Sequence, residues 1–426
     1  YSSRRNVVYA KKAVACTSVP LGAQIGLDVM KSGGNAVDAA VAMAAAMPLL
    51  EPTGNGLGSD CFALVWIEKD QKLYGLNASG VAPMALSADK VRELGFDQVP
   101  KEGWLPTMVP GAPAGWAALN SRFGTKPLAE LFAPAVAYAR EGYPVPVNVA
   151  RQWAKDSRRI AKAMETDPAP HEYWWKSFMK PDGTPYAAGD LFRFPDYADT
   201  LEELAATGCE SYYRGRLMER LVAFSQKTGG YFCREDFEHY HPDWVEPITQ
   251  NYRGYTVCEI PPNGHGITVL MALGILDGMT MPENRESAEH YHKVMEAIKL
   301  AFADTKTYVA DPRYMKTRVD QLLSPDYLAA RRALISDKAL EPKAGDNCLA
   351  GGTKSYHTII PGFLLKDGQA VGPFGVMGAF MQPQGQAEVI INTLDYHMNP
   401  QEALDAPRIQ WIGGKKLQLE REAGED

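Results

Sequence analysis

No apolar run in this chain is long enough to cross a bilayer. The longest, residues 39–50, is alanine-rich and contains Pro48, well short of the ~20 residues that a spanning helix needs. Basic charge is also scarce. Lys and Arg number 44 against 51 Asp and Glu, a net charge of −7 over 426 residues, so the chain lacks the basic face with which nucleic-acid binders neutralise phosphates. Cysteine is sparse: Cys16, Cys61, Cys209, Cys233, Cys258 and Cys348 form no CxxC pair. They read as free, mostly buried thiols in a reducing, cytoplasmic setting, since a chain of this length buries a core without disulfides. The start, Tyr1 to Arg5, is basic but is not followed by an apolar signal core, so no secretory peptide is expected. Neither His239 with His241 nor His290 with His292 is completed by an HExxH pattern, a cysteine pair or an acidic cluster, and no metal site is expected.

What is present alternates between sheet and helix signals. Asn35 is a good N-cap with Asp38 at the third helical position, which predicts a helix over 36–47. Alternation over 62–76 around Glu68-Lys69-Asp70-Gln71 predicts a hairpin. Helix signals recur within 110–150 and are periodic over 129–141, and Tyr291, Met295, Ile298 and Phe302 give one apolar face to a helix over 290–306. Residues 356–365 and 369–376 flank Lys366-Asp367-Gly368 as a second hairpin. Antiparallel pairs at both ends with helices between them suit two stacked sheets covered by helices, an α+β arrangement, better than a doubly wound parallel sheet.

Several glycine-rich stretches bear on chemistry. Residues 51–60 (EPTGNGLGSD) are not a phosphate loop, because no Lys-Ser/Thr follows the last glycine; alone they read as a tight turn beside a strand. Residues 261–266 (PPNGHG) open an apolar helix over 267–276, where free amides favour an anion. Gly375-Val376-Met377-Gly378-Ala379 ends a strand with backbone that a ligand can approach closely, and its amides suit an oxyanion hole.

Together these stretches resemble the gamma-glutamyltranspeptidase family. The matching segments stand in family order: 33–42 (GGNAVDAAVA), 51–60, 109–116 (VPGAPAGW), 252–255 (YRGY), 261–266, 299–304 (KLAFAD) and 405–408 (DAPR). Residues 356–361 (YHTIIP) and 380–385 (FMQPQG) are similar to the bacterial glutathione-hydrolase-like or cephalosporin-acylase-like branch. The resemblance implies a four-layer αββα sandwich of the N-terminal-nucleophile hydrolases with helical additions. It implies a precursor that cuts itself before a threonine, whose α-amine then serves as base for its own hydroxyl, and an acyl-enzyme resolved by water or an amino acid. Gamma-glutamyl amides such as glutathione are the implied substrates. No cofactor is implied, and the partners are a small-molecule amide and the protein's own cleaved subunit, with no nucleic acid or membrane.

The chain departs from the family pattern at its centre. Residues 1–346 correspond to the large subunit and 347–426 to the small one, but Asp346 runs straight into Asn347-Cys348, where the family carries a long segment with the nucleophile. The sequence therefore reads as two pieces joined across a gap. Thr353, after Gly351-Gly352 and opening a strand-like stretch, is the rival nucleophile. By resemblance Gly378 and Ala379 take the oxyanion position, His357 and Thr358 stand where a serine pair contacts the substrate carboxylate, and Ser79 replaces the arginine that binds it. A neutral hydroxyl cannot make that bidentate contact, so amide hydrolysis is better supported than γ-glutamyl specificity. An acylase acting on another side-chain amide and a non-catalytic relative are the alternatives.

Overall fold

The computed structural model describes residues 5–342, 349–421 and 423; the junction at Asp346 and Asn347, and Cys348, lie outside them. The predicted first hairpin forms as Cys61–Ile67 and Lys72–Ala78, paired Cys61↔Ala78 to Ile67↔Lys72. Its turn is the short 3-10 segment Glu68–Asp70, closed by Gln71 in the left-handed region at φ 48°. Asp243–Val245 adds a third antiparallel strand. The second sheet is fully antiparallel in the order Ile248–Tyr252, Tyr255–Glu259, Gly362–Lys366, Gln369–Phe374.

Strand alternation builds the layers. Leu64, Trp66 and Leu73 of the first sheet meet Cys258, Phe363 and Leu365 of the second, with the Trp66 and Phe363 rings stacked at 6.4 Å. The opposite face of the first sheet, through Ala63, Val65 and Leu76, packs on a helical layer that includes Ala36–Leu50, Ala112–Phe123 and Leu128–Glu141. Val257 and Leu364 of the second sheet pack on Gly266–Asp277, Ala288–Tyr308 and Met381–Leu394. The result is the four-layer αββα sandwich. No described helix is long and apolar enough to cross a membrane.

Three expectations need correction. Residues 356–361 join no sheet: strand pairing starts at Gly362, and His357 instead makes an isolated bridge, exchanging backbone bonds with Asn263 and His265 (both 3.0 Å). The second hairpin strand ends at Phe374, short of Val376. Of the five described cysteines only Cys209 and Cys258 are buried, so the thiols are not mostly buried.

The capping box forms as predicted. Asn35 accepts from the Asp38 N–H and Asp38 accepts from the Asn35 N–H, both at 2.9 Å. Fully buried, Asp38 also accepts from the Thr125 N–H (2.9 Å) and the Lys126 N–H (3.3 Å). Burial pushes its pKa up, but the bonds from Thr125, Asn35 and Lys126 outweigh this and hold it below the usual value. A depressed carboxylate stabilises the fold above its unfolded pKa and loses that contribution as pH falls through the lower folded value. Asp38→Ala is expected to cost about 2–3 kcal/mol at neutral pH, with the deficit shrinking below about pH 4. Urea unfolding at pH 7 and pH 3 checks this; an equal deficit at both would refute the charge-based account.

Candidate active site

The site grows from the place where the two sheets meet the loop that ends at Asp60. Ser59 O accepts from the Gly111 and Ala112 N–H groups at 3.0 and 2.8 Å. Residues 78–80 and 109–111 also run so close that each segment requires glycine: a Cβ on Gly80 would lie 1.8 Å from Val109 O, and one on Gly111 would lie 1.9 Å from Ala78 O. Asp60 is thereby fixed so that Oδ1 accepts from the Gly80 N–H at 2.7 Å and Oδ2 meets His357 Nε2 at 2.5 Å. His357 Nδ1 accepts from the Ile359 N–H at 3.1 Å, so the ring proton that faces Asp60 sits on Nε2. Both ring nitrogens are occupied.

Ser79 is fully buried. Its hydroxyl donates to Asn77 Oδ1 (2.7 Å) and accepts from Asn263 Nδ2 (3.2 Å). Asn263 also binds Ser355 O at 2.7 Å and receives Asn77 Nδ2 at 2.9 Å. This satisfied network clamps the end of the first sheet to the loop before Gly266–Asp277. His265, the residue preceding that helix, directs Nε2 to Thr358 O at 3.2 Å, and its Nδ1 is buried without a partner among the described residues. Burial lowers its pKa to about 3 against the raising effect of the Thr358 bond, with the Lys306 charge lowering it further. The ring of Tyr356 lies edge-on to His265 at 5.3 Å, and burial raises its hydroxyl pKa to about 12.

Gly378 and Ala379 form an exposed turn into Met381–Leu394, at φ 126° and 50°. Their carbonyls are used by the Met381 and Gln382 N–H groups (2.8 and 3.0 Å). The N–H groups of Gly378, Ala379 and Phe380 make no hydrogen bond among the described residues, at the positive end of a 14-residue helix. Phe380 ties the turn to the network, its ring 5.9 Å from His265 and 6.3 Å from Tyr356.

Ser79, His357, Thr358 and, through Phe380, the Gly378 turn thus share one neighbourhood. Thr353 is held elsewhere: its hydroxyl donates to Ala350 O at 2.6 Å and its carbonyl accepts from the Ala82 N–H at 2.9 Å. No hydrogen bond joins it to His357, Thr358 or the turn among the described residues. Sequence reading missed Asp60 as a functional side chain, because its partner lies 297 residues away. It also missed His265, whose neighbours Pro261 and Pro262 signalled only a turn.

A sequence model of the gamma-glutamyltranspeptidase family matches residues 22–345 and 340–426. The glutathione hydrolase-like YwrD proenzyme of Bacillus subtilis (strain 168) is 28% identical over 452 aligned positions, covering 93% of this chain and 84% of that protein. The crystal structure of cephalosporin acylase from Bacillus halodurans superposes with a TM-score of 0.95 at 44% identity, covering 100% of this chain and 88% of that one. Helicobacter pylori gamma-glutamyltranspeptidase superposes with a TM-score of 0.73 at 27% identity, covering 80% and 97%.

Proposed function

Because the chain belongs to the gamma-glutamyltranspeptidase family, we propose that it is a self-processing amide hydrolase or acyltransferase. A threonine freed by backbone scission attacks the substrate carbonyl, passing its hydroxyl proton to its own α-amine. The tetrahedral oxyanion is received by the N–H groups at Gly378 and Ala379, the leaving amine takes up the proton, and water or an amino acid accepts the acyl group. The observation that carries this reading is the exposed turn with its unused amides at a helix N-terminus, held by Phe380 against His265.

We place the nucleophile in a segment between Asp346 and Asn347. Two facts support this. The family match breaks at 340–345. The alignment with the Bacillus subtilis relative also needs 452 positions to take in 93% of a 426-residue chain, so that relative carries dozens of residues opposite gaps. Thr353, whose hydroxyl is spent on Ala350 O, is the weaker candidate.

A second reading concerns the acyl group. Ser79, in the place of the carboxylate-binding arginine, is sealed in the Asn77–Asn263 network, and the similarity to cephalosporin acylase is close. Both favour an acyl group other than γ-glutamyl. The full natural reading frame is expected to yield two bands on a denaturing gel, and the mature protein to release nitroaniline from a glutaryl or γ-glutamyl anilide. A single unbroken band with neither anilide cleaved would leave the non-catalytic relative standing.

A further inference from the structure

We infer that Lys306 is the cation that receives a carboxylate carried by the substrate's acyl group, held in an aromatic cage beside the Gly378–Ala379 turn. The inference rests on the amidase reading above and names the residue that sets its acyl preference. Lys306 lies in the last turn of Ala288–Tyr308, a position from which a lysine normally reaches water. Here its ammonium is folded back over three rings, at 4.9 Å from Phe380, 5.2 Å from Phe302 and 5.4 Å from Trp411.

Phe302 lies one turn earlier on the same helix, whereas Phe380 and Trp411 come from distant parts of the chain, so the fold closes the cage over a local pair. No carboxylate pairs with Lys306 among the described residues, although Asp304, two positions earlier, is itself bound to Arg331. Burial alone shifts its pKa, and downwards. Cation–π contacts hold an ammonium in place but replace only part of its hydration, so the site favours an anion.

Its position gives that anion an identity. Phe380 is both the cage ring closest to the ammonium and the residue next to Ala379, so the cation rests on the side chain that follows the amides proposed to hold the reacting carbonyl. Lys306 and the buried His265 share two ring neighbours, Phe302 and Phe380, which puts the cation beside the network. Ser79 is uncharged and sealed in the Asn77–Asn263 network, so the positive charge beside the turn comes from Lys306 on a different element. An anion near Lys306 with a carbonyl on the Gly378 turn describes an amide whose acyl chain ends in a carboxylate.

Isothermal titration of the processed protein with glutarate and with pentanoate, its singly charged isostere, tests the site without turnover. Native protein is expected to bind glutarate about tenfold more tightly, Lys306→Met to lose that difference and Lys306→Arg to keep most of it. In parallel, the ratio of kcat/KM for glutaryl over pentanoyl nitroanilide is expected to fall about tenfold in Lys306→Met. Native protein that does not distinguish the two acids, or Lys306→Met that still does, overturns the inference. Glutarate binding lost in Lys306→Met, with neither anilide cleaved by native protein, would instead uphold the site and remove the amidase reading. Matching thermal midpoints of the Met and Arg variants exclude misfolding as the cause.

Discussion

Lys299→Met is expected to lower the stability of the fold by about 3–5 kcal/mol, the range for stranding one member of a buried ion pair. Lys299 and Glu296 lie one turn apart on Ala288–Tyr308 with side chains 3% and 2% exposed, joined at 2.5 Å. Glu296 Oε2 also accepts from the Leu340 N–H at 2.8 Å, and Lys299 reaches Leu340 O at 3.4 Å. The pair therefore binds the helix to the segment at Leu340. Removing the ammonium leaves a carboxylate with one backbone donor in an apolar surround. Adding Glu296→Leu removes that charge, and the double variant is expected to recover more than half of the loss, short of native because the Leu340 amide loses its acceptor. Chemical unfolding of the native, both single and double variants checks this; a single variant within about 1 kcal/mol of native would show the pair to be energetically idle.

The same helix shows how much was legible from sequence. Its apolar stripe gave a span of 290–306 against the observed Ala288–Tyr308, and the Asn35–Asp38 box and the Gln71 turn formed where their local chemistry required. Local signals sufficed because each element's partner lies a few residues away. Residues 299–304 served only as a family marker in sequence; folded, their two charged ends turn out to be halves of buried pairs, Lys299 with Glu296 and Asp304 with Arg331. Helix Gly266–Asp277 is buried on all sides, so it offered no period to read, and only its opening turn announced it. Residues 356–361 imitate a strand because His357 makes a strand-like pair of backbone bonds with Asn263 and His265, but the pairing stops at that one bridge. The site was the least legible part. Asp60 and His357, Ser79 and Asn263, and Lys306 and Trp411 meet only after the sheets have stacked, and no spacing encodes such a meeting.

Asp60→Asn, nearly identical in shape, is expected to lower kcat/KM for amide hydrolysis by about a hundredfold, the scale of a misplacement of about 1 Å at a reacting centre. Asp60 accepts two hydrogen bonds, from the Gly80 N–H and from His357 Nε2–H, at 2.7 and 2.5 Å. An amide supplies only one acceptor oxygen. If that oxygen stays with Gly80, the new NH2 group faces the Nε2 proton. Moving the ring proton to Nδ1 relieves that clash but sets Nδ1–H against the Ile359 N–H, now 3.1 Å away. Every arrangement therefore loses one bond along the chain from Gly80 to Ile359. His357 backbone anchors Asn263 and His265, so the displacement passes to the residues that pack against Phe380 and its turn. His357→Phe, which keeps a ring against Phe62 (4.8 Å in the native protein) and removes the opposed proton, is expected to add little further loss when combined with Asp60→Asn. Nitroanilide kinetics measure both steps, and 15N shifts of the His357 ring follow the first. Losses that multiply across the two substitutions, or an Asp60→Asn protein within about twofold of native activity, would show that the pair does not position the site.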